Sequence, residues 1–474
     1  MRDGVEGQWV RGDGWVTLAM TRSLALPNFR RYFCGGVVAN IGTWMLRTGQ
    51  SWLVLHLGNG SGVALGIVTF LQFGPTIVLS PISGALSDRY DKATTLTITQ
   101  SLIAISSLGL ALLDFAGAAS LPWVYGVALV GGVITAIDAP IRTSFVTELV
   151  GPHHVVNAIG LNSASFNGAR LVGPLLAACV ISVGGTAWAF LVSGISGAAI
   201  VHSLIAIDRA DLHLHERGSN NGGWTAGFSG VFKDPLILSF SLLAMLANAA
   251  GANSLQVVLP IIATEVFSGD VLGFGFLTAA MAVGGVCGAL AASSTVGTPR
   301  VRWVLGTAEA FAVLVVISSA MPTYLTFAAS LVLVGLCYMT FIVMVNTVIQ
   351  LAAPPTIRGR VVAVYLMFFL GGGALGSPLL GALSDGVGPM RAMTVAGSAV
   401  GITALVIGVI LRVLAKAGPV VVDHWAPVTE DSMAEPRGGD RDHDLQGDAS
   451  QGGARRGPES EHESVGGPGC TSLS

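Results

Sequence analysis

A few ionised side chains interrupt long hydrophobic runs in this chain, and they are the residues whose types could do chemistry. Arg47, Asp138, Arg142, Arg170 and Glu309 each stand inside such a run. A charge at the centre of a lipid-embedded helix costs about 2.5–3.5 kcal/mol on insertion scales, so each needs a partner or a task. Asp138 and Arg142 are four residues apart and meet on one helix face, which Thr135 extends. Burial raises the proton affinity of such a carboxylate and the arginine lowers it, the two opposed pulls that proton coupling requires. The same spacing also fits a static ion pair anchoring a helix end. Arg47 shares a stripe with Asn40, Thr43 and Gln50 at helical spacing, which suits contact with an anionic or polar substrate or a structural arginine. Arg170, on a stripe with Ser163, Asn167 and Pro174, reads as structural or gating. Glu309 reads as a proton site or as the partner of a neighbouring helix.

The second half offers uncharged groups, Asn248, Asn253, Gln256, Asn346 and Gln350, fit for substrate contact or for hydrogen bonds between helices. Enzymatic motifs are missing from the sequence. It contains no Gly-rich loop followed by Lys-Ser/Thr, no HExxH and no nucleophile elbow. His153 and His154 are adjacent and poorly spaced to share a metal, and the five cysteines form no disulfide framework. An enzyme, a metal site and a bound cofactor are therefore not expected.

The elements that position these residues follow from composition. Of 474 residues, 52% are hydrophobic and only 11% charged, with a mean hydropathy of +0.70, where a soluble protein carries roughly 25% charged residues. Such a chain must pack its helices in lipid, each satisfying its own backbone polar groups. Windows long enough to cross about 30 Å of hydrocarbon give twelve apolar segments: 32–57, 62–83, 94–115, 120–145, 157–183, 185–207, 237–264, 270–293, 302–321, 323–353, 361–385 and 388–416. This predicts an all-α membrane protein with a six-helix bundle over 30–207, a polar linker over 208–236 and a second bundle over 237–416. Residues 1–29 carry both charge signs and do not resemble a secretory signal; Met20 is an alternative start. Residues 417–474 hold 4 basic and 11 acidic residues and few apolar ones, the composition of a disordered tail. Arg30, Arg31, Arg89, Lys92, Arg142, Arg209, Lys233, Arg300, Arg302, Arg358 and Arg360 all fall on one side of this arrangement. By the excess of basic residues in inner loops, both chain ends are cytoplasmic.

Two internal echoes refine the plan. GALSD occurs at 84–88 and again at 381–385, ending the second and eleventh segments on opposite membrane faces, as inverted three-helix repeats would have it. The stretches 148–178 and 350–382 resemble each other and place segments five and eleven in register, as in a duplicated six-helix unit.

GALSDRYDK resembles the loop motif of the major facilitator superfamily, with Asp91 and Ala93 where that motif has a glycine and a basic residue. Further likeness, in Gly42 to Met45, Trp52 to Leu55, Asp138 to Arg142 and Asn157 to Arg170, is to its branch of proton-driven drug and siderophore exporters. The resemblance implies the major facilitator fold and an alternating-access secondary transporter acting as a functional monomer in the bacterial inner membrane. It implies a small-molecule substrate and protons as partners, and no nucleic acid. It makes Gly84, Asp88, Arg89 and Lys92 a gating motif, and Asn167, Arg170, Gly173 and Pro174 part of a helix-five motif. Helices one, four, seven and ten would line the cavity, and Glu309 on helix nine would lie outside it. Proton-driven efflux of a small amphipathic or anionic molecule is the expected activity, with uptake or a non-transporting receptor as alternatives.

Overall fold

The computed structural model describes residues 22–79, 90–213, 225–293 and 299–417. The first 21 residues, the tail beyond 417 and most of the GALSDRYDK loop lie outside them. Twelve long helices dominate, with no strand among the described residues: α1 (Pro27–Leu57), α2 (Gly62–Leu79), α3 (Lys92–Phe115), α4 (Leu121–Val150), α5 (Val155–Gly184), α6 (Thr186–Ile205), α7 (Pro235–Val266), α8 (Val271–Ser293), α9 (Val301–Ser318), α10 (Tyr324–Ala352), α11 (Arg358–Val387) and α12 (Pro389–Ala417). Eleven are long and apolar enough to cross a membrane. The exception is α1: at 31 residues it is long enough, but its polar residues Arg47, Thr48, Gln50 and Ser51 are buried in the protein rather than facing lipid. Leu112, Val183, Leu325, Leu379 and Leu405 stay exposed on the outer surfaces, as lipid contact requires.

Local chemistry sets the helix starts. Asp91 accepts from Thr94 N at 2.9 Å to cap α3, Asp234 accepts from Leu236 N and Ile237 N to cap α7, and Thr323 forms a capping box with Thr326 on α10. Gly185 (φ +87°) and Gly388 (φ +92°) take left-handed conformations just after α5 and α11, the same turn at equivalent places in the two halves. The expected seventh segment is not one continuous helix. It breaks at Gly251, where a Cβ would meet Tyr338 Cε2 at 2.6 Å, and ends in a π-helical turn at Ile262–Val266.

Within the first half α1 packs on α5 and α6, and α3 on α6; within the second α7 packs on α11, and α9 on α12. The halves meet through α2 against α11 and α5 against α8. Duplication carries α2 onto α8 and α5 onto α11, so one contact is made twice. Small residues allow it: a Cβ on Gly66 would meet Pro378 Cα, and one on Gly275 would meet Ala178 Cβ, each at 2.5 Å. Both contacts lie toward the end of the molecule that carries the turns at 58–61 and 386–388. At the other end the connection after α6 docks on the first half. Asn28 donates to Asp208 O at 2.9 Å and accepts from Asp208 N at 3.1 Å, and His213 N donates to Glu148 O. The expected linker also holds a helix, Thr225–Lys233, whose Val231 is fully buried and whose Phe232 meets Phe368 of α11 edge-on.

Candidate functional site

A pocket of about 290 Å³ lies among α1, α3, α4 and α5, lined by Arg47, Gln100, Thr135, Asp138, Arg142 and Asn167, among others. Asp138 is only 5% exposed. It accepts from Thr99 Oγ1 at 2.5 Å, from Gln100 Nε2, and from Arg142 at 3.1 Å. Gln100 and Arg142 can only donate to it, whereas the Thr99 hydroxyl, which also lies 3.1 Å from Leu96 O, can donate or accept. Arg47, 8% exposed, donates to Thr135 Oγ1 at 3.4 Å and packs over the rings of Trp44 and Phe73 at 5.1 and 4.6 Å. Thr135 precedes Asp138 by three residues on the same helix, so a single turn separates the arginine from the carboxylate.

A larger pocket of about 500 Å³ opens between the halves, among α5, α7, α8 and α10. Its wall is mostly apolar, with Leu171, Leu259, Met281, Val286 and Met339, and its polar corner is formed by Asn167, Arg170, Gln256 and Tyr338. Asn167 lines both pockets. Arg170 also packs over the Trp44 ring, at 5.6 Å, so one indole touches a guanidinium from each pocket. Among the described residues neither arginine lies within ion-pair distance of a carboxylate. The Trp44 Nε1–H is buried and has no acceptor among them. Gly173 makes this junction possible, because a Cβ there would meet Trp44 Cβ at 2.5 Å, and Pro174 next to it faces Gly275 of α8.

The remaining sequence candidates scatter. Asn40 donates to Ser165 of α5, and Gln50 accepts from Gln72 of α2 at 2.8 Å. Asn248 donates to Phe369 O and accepts from Tyr338, both at 2.7 Å, so its amide ties α7 to α10 and α11 beside the helix break. Gln256 reaches the larger pocket, Asn346 accepts from Gln350 on its own helix, and the side chain of Asn253 lies outside the described residues. Glu309 sits beside Gly401 where α9 meets α12, lining neither pocket. Of the loop motif, Gly84, Asp88 and Arg89 lie outside the described residues, whereas Lys92 pairs with the buried Glu148 of α4.

The sequence candidates do not include Thr99 and Gln100, the partners of Asp138, although two adjacent polar residues inside an apolar run are a visible signal. Nor do they include Asp385. Asp385, from the second GALSD, accepts from Gly62 N at 2.5 Å and from Val63 N and Ser61 Oγ at 3.1 Å. It thus caps the start of α2 from the other half of the molecule, where the free N–H groups and the helix dipole favour an anion.

Solved structures share this architecture. The chain is similar to a bacterial homologue of the human lysosomal transporter Spinster, solved inward-facing and unoccupied (TM-score 0.65, 16% identity, covering 81% of this chain and 95% of that one). It is also similar to the D-xylose–proton symporter (TM-score 0.61, 14% identity, 80% and 96%). The fold is therefore that of the major facilitator transporters, twelve helices in two six-helix bundles. Among curated proteins it is 23% identical over 387 residues to the enterobactin exporters of Escherichia coli O1:K1 and of Shigella boydii serotype 18, covering 81% of this chain and 91% of each relative. The transmembrane secretion effector family matches residues 20–439, and the chain belongs to that family within the major facilitator superfamily. It is a multi-pass inner-membrane secondary transporter, not an enzyme.

Proposed function

We propose that the protein exports a small amphipathic or anionic molecule by alternating access, driven by the proton gradient through Asp138. The observation that carries this reading is the shared pocket: a buried acid held by Thr99, Gln100 and Arg142 stands one turn from an arginine with no carboxylate partner among the described residues. Export is supported by the secretion-effector family and by relatives that export enterobactin. Among the described residues the two halves touch closely at the 58–61 end, through Gly62, Gly66 and Asp385. With the termini cytoplasmic, that end faces outward, and its closure and opening form one step of the alternating-access cycle. The protein works as a monomer in this reading, with Lys92 and the GALSD loop gating the inner face.

One observation favours the alternative of uptake. Asp138 is the single carboxylate among the residues lining the smaller pocket. Its protonation makes the pocket more positive, which helps an anion bind, so proton and anion would travel together. An exporter requires the two to exclude each other. The test uses sealed vesicles and a substrate identified by comparing the growth of cells with and without the protein across drugs and siderophores. Under the export reading a proton gradient drives flux, substrate affinity falls as pH falls, and Asp138→Asn abolishes the coupling at normal abundance. Proton-driven flux that persists in Asp138→Asn excludes the role, and affinity that rises as pH falls favours uptake.

A further inference from the structure

The junction at Trp44 carries more than a transport class. Two guanidiniums, Arg47 and Arg170, pack on one buried indole at 5.1 and 5.6 Å without a carboxylate partner among the described residues. Arg47 is buried and Arg170 half-buried; cations so placed in a membrane protein without counter-ions are costly, and they persist where something else supplies the charge. The nearest described acid, Asp138, already has its own arginine. Trp44 adds an independent sign: at 4% exposure its Nε1–H has no acceptor, and buried donors without partners are rare. Arg47 lines the smaller pocket and Arg170 the larger, the Trp44 ring touches both, and none of the three has an anionic partner among the described residues. The larger pocket beyond Arg170 is walled by apolar side chains and holds about 500 Å³, within the usual range for small-molecule sites.

We infer that this junction is the anion seat of the substrate site: Arg47, Arg170 and the Trp44 indole N–H hold the acidic group of an amphipathic anion whose apolar body fills the pocket between α5, α8 and α10. This rests on the reading of the chain as a secondary transporter, in either direction, and narrows its substrate class. It assigns Arg170, which the sequence reads as structural or gating, to the substrate. It also gives Gly173 a second task, because only a residue without a side chain lets α5 approach Trp44 closely enough for both arginines to share it.

The test uses a matched trio of probes with one apolar body: pyrene-1-sulfonate, pyrene-1-methanol and (pyren-1-ylmethyl)trimethylammonium. Binding to the purified full chain is read by energy transfer from tryptophan to pyrene. The sulfonate is expected to bind at least tenfold tighter than the alcohol, and the cation weakest. Arg47→Gln and Arg170→Gln should each weaken the sulfonate at least tenfold and leave the alcohol unchanged. Arg47→Lys and Arg170→Lys should recover part of the loss, and Trp44→Phe should weaken the sulfonate by a smaller factor. Melting temperature and gel-filtration profile separate a misfolded variant from a binding-deficient one, and the lysine variants keep the question open to refutation if a glutamine variant fails to fold. Equal binding of the three probes, binding of none, or sulfonate affinity unmoved in a folded glutamine variant overturns the anion seat. Proton-driven flux that survives such a result leaves the transport reading standing. Sulfonate binding that persists while flux ignores the gradient sinks the coupling and not the seat.

Discussion

Asp385→Ala should open the end of the transporter that is closed here. The carboxylate accepts two backbone N–H bonds and one hydroxyl bond from the start of α2, and it does so across the interface between the two halves. Removing a side-chain cap from a helix start costs about 0.5–2 kcal/mol, and the favourable interaction of an anion with an exposed helix N-terminus adds about 0.3–1 kcal/mol. Asp385 is exposed, so solvent and salt screen part of this, and about 1–2 kcal/mol is the reasonable net figure. That is roughly a 5- to 30-fold change in the ratio of closed to open forms. Nothing in the first half loses a cap when the α2–α11 contact is already broken, so the loss falls on the closed form alone. Spin labels at Asn59 and Val387, in a background without the native cysteines, would report the distance across this end. The variant should shift the distance distribution toward longer values, and Asp385→Asn, which keeps one acceptor oxygen, should shift it less. A distribution identical to that of the unsubstituted protein would refute the latch.

Two further outcomes follow from the opposite face. Lys92→Met leaves the buried Glu148 without its partner and should lower the melting temperature in detergent; adding Glu148→Leu should recover part of the loss, and a strictly additive double variant would mean the pair contributes nothing. Partial burial pushes the Asp91 carboxyl up, but its two bonds from Thr94 and the Arg209 guanidinium outweigh it and hold the group below its ordinary value of 3.8. A carboxyl lowered by folding contributes stability that is complete above its unfolded value and is lost as pH falls through the folded one. The difference in melting temperature between the protein and Asp91→Asn should therefore be constant at neutral pH and shrink below pH 3.8. A difference that widened on acidification would reverse the sign and reject the account.

The sequence by itself determined the class and the order of the spans. A charge content of 11% leaves no fold but lipid-embedded helices, and hydrophobic runs of membrane length mark each span to within a few residues, because one helix crossing is a local property of about twenty side chains. The α1 helix was legible for the same reason despite its polar stripe. Asp138 with Arg142 was equally plain, since an i,i+4 pair needs only one helix. Contacts between helices were not legible, because which faces meet depends on crossings that small residues permit and no stripe encodes. Thr99 and Gln100 reach Asp138 only because α3 lies against α4. Arg47 and Arg170 are isolated charges on separate helices until Gly173 brings α5 onto Trp44, and Asp385 is a surface acid until α11 comes to rest on the start of α2. Tertiary packing alone decided which charges share a site, because the energy of a buried charge depends on what surrounds it in space and not on its neighbours along the chain.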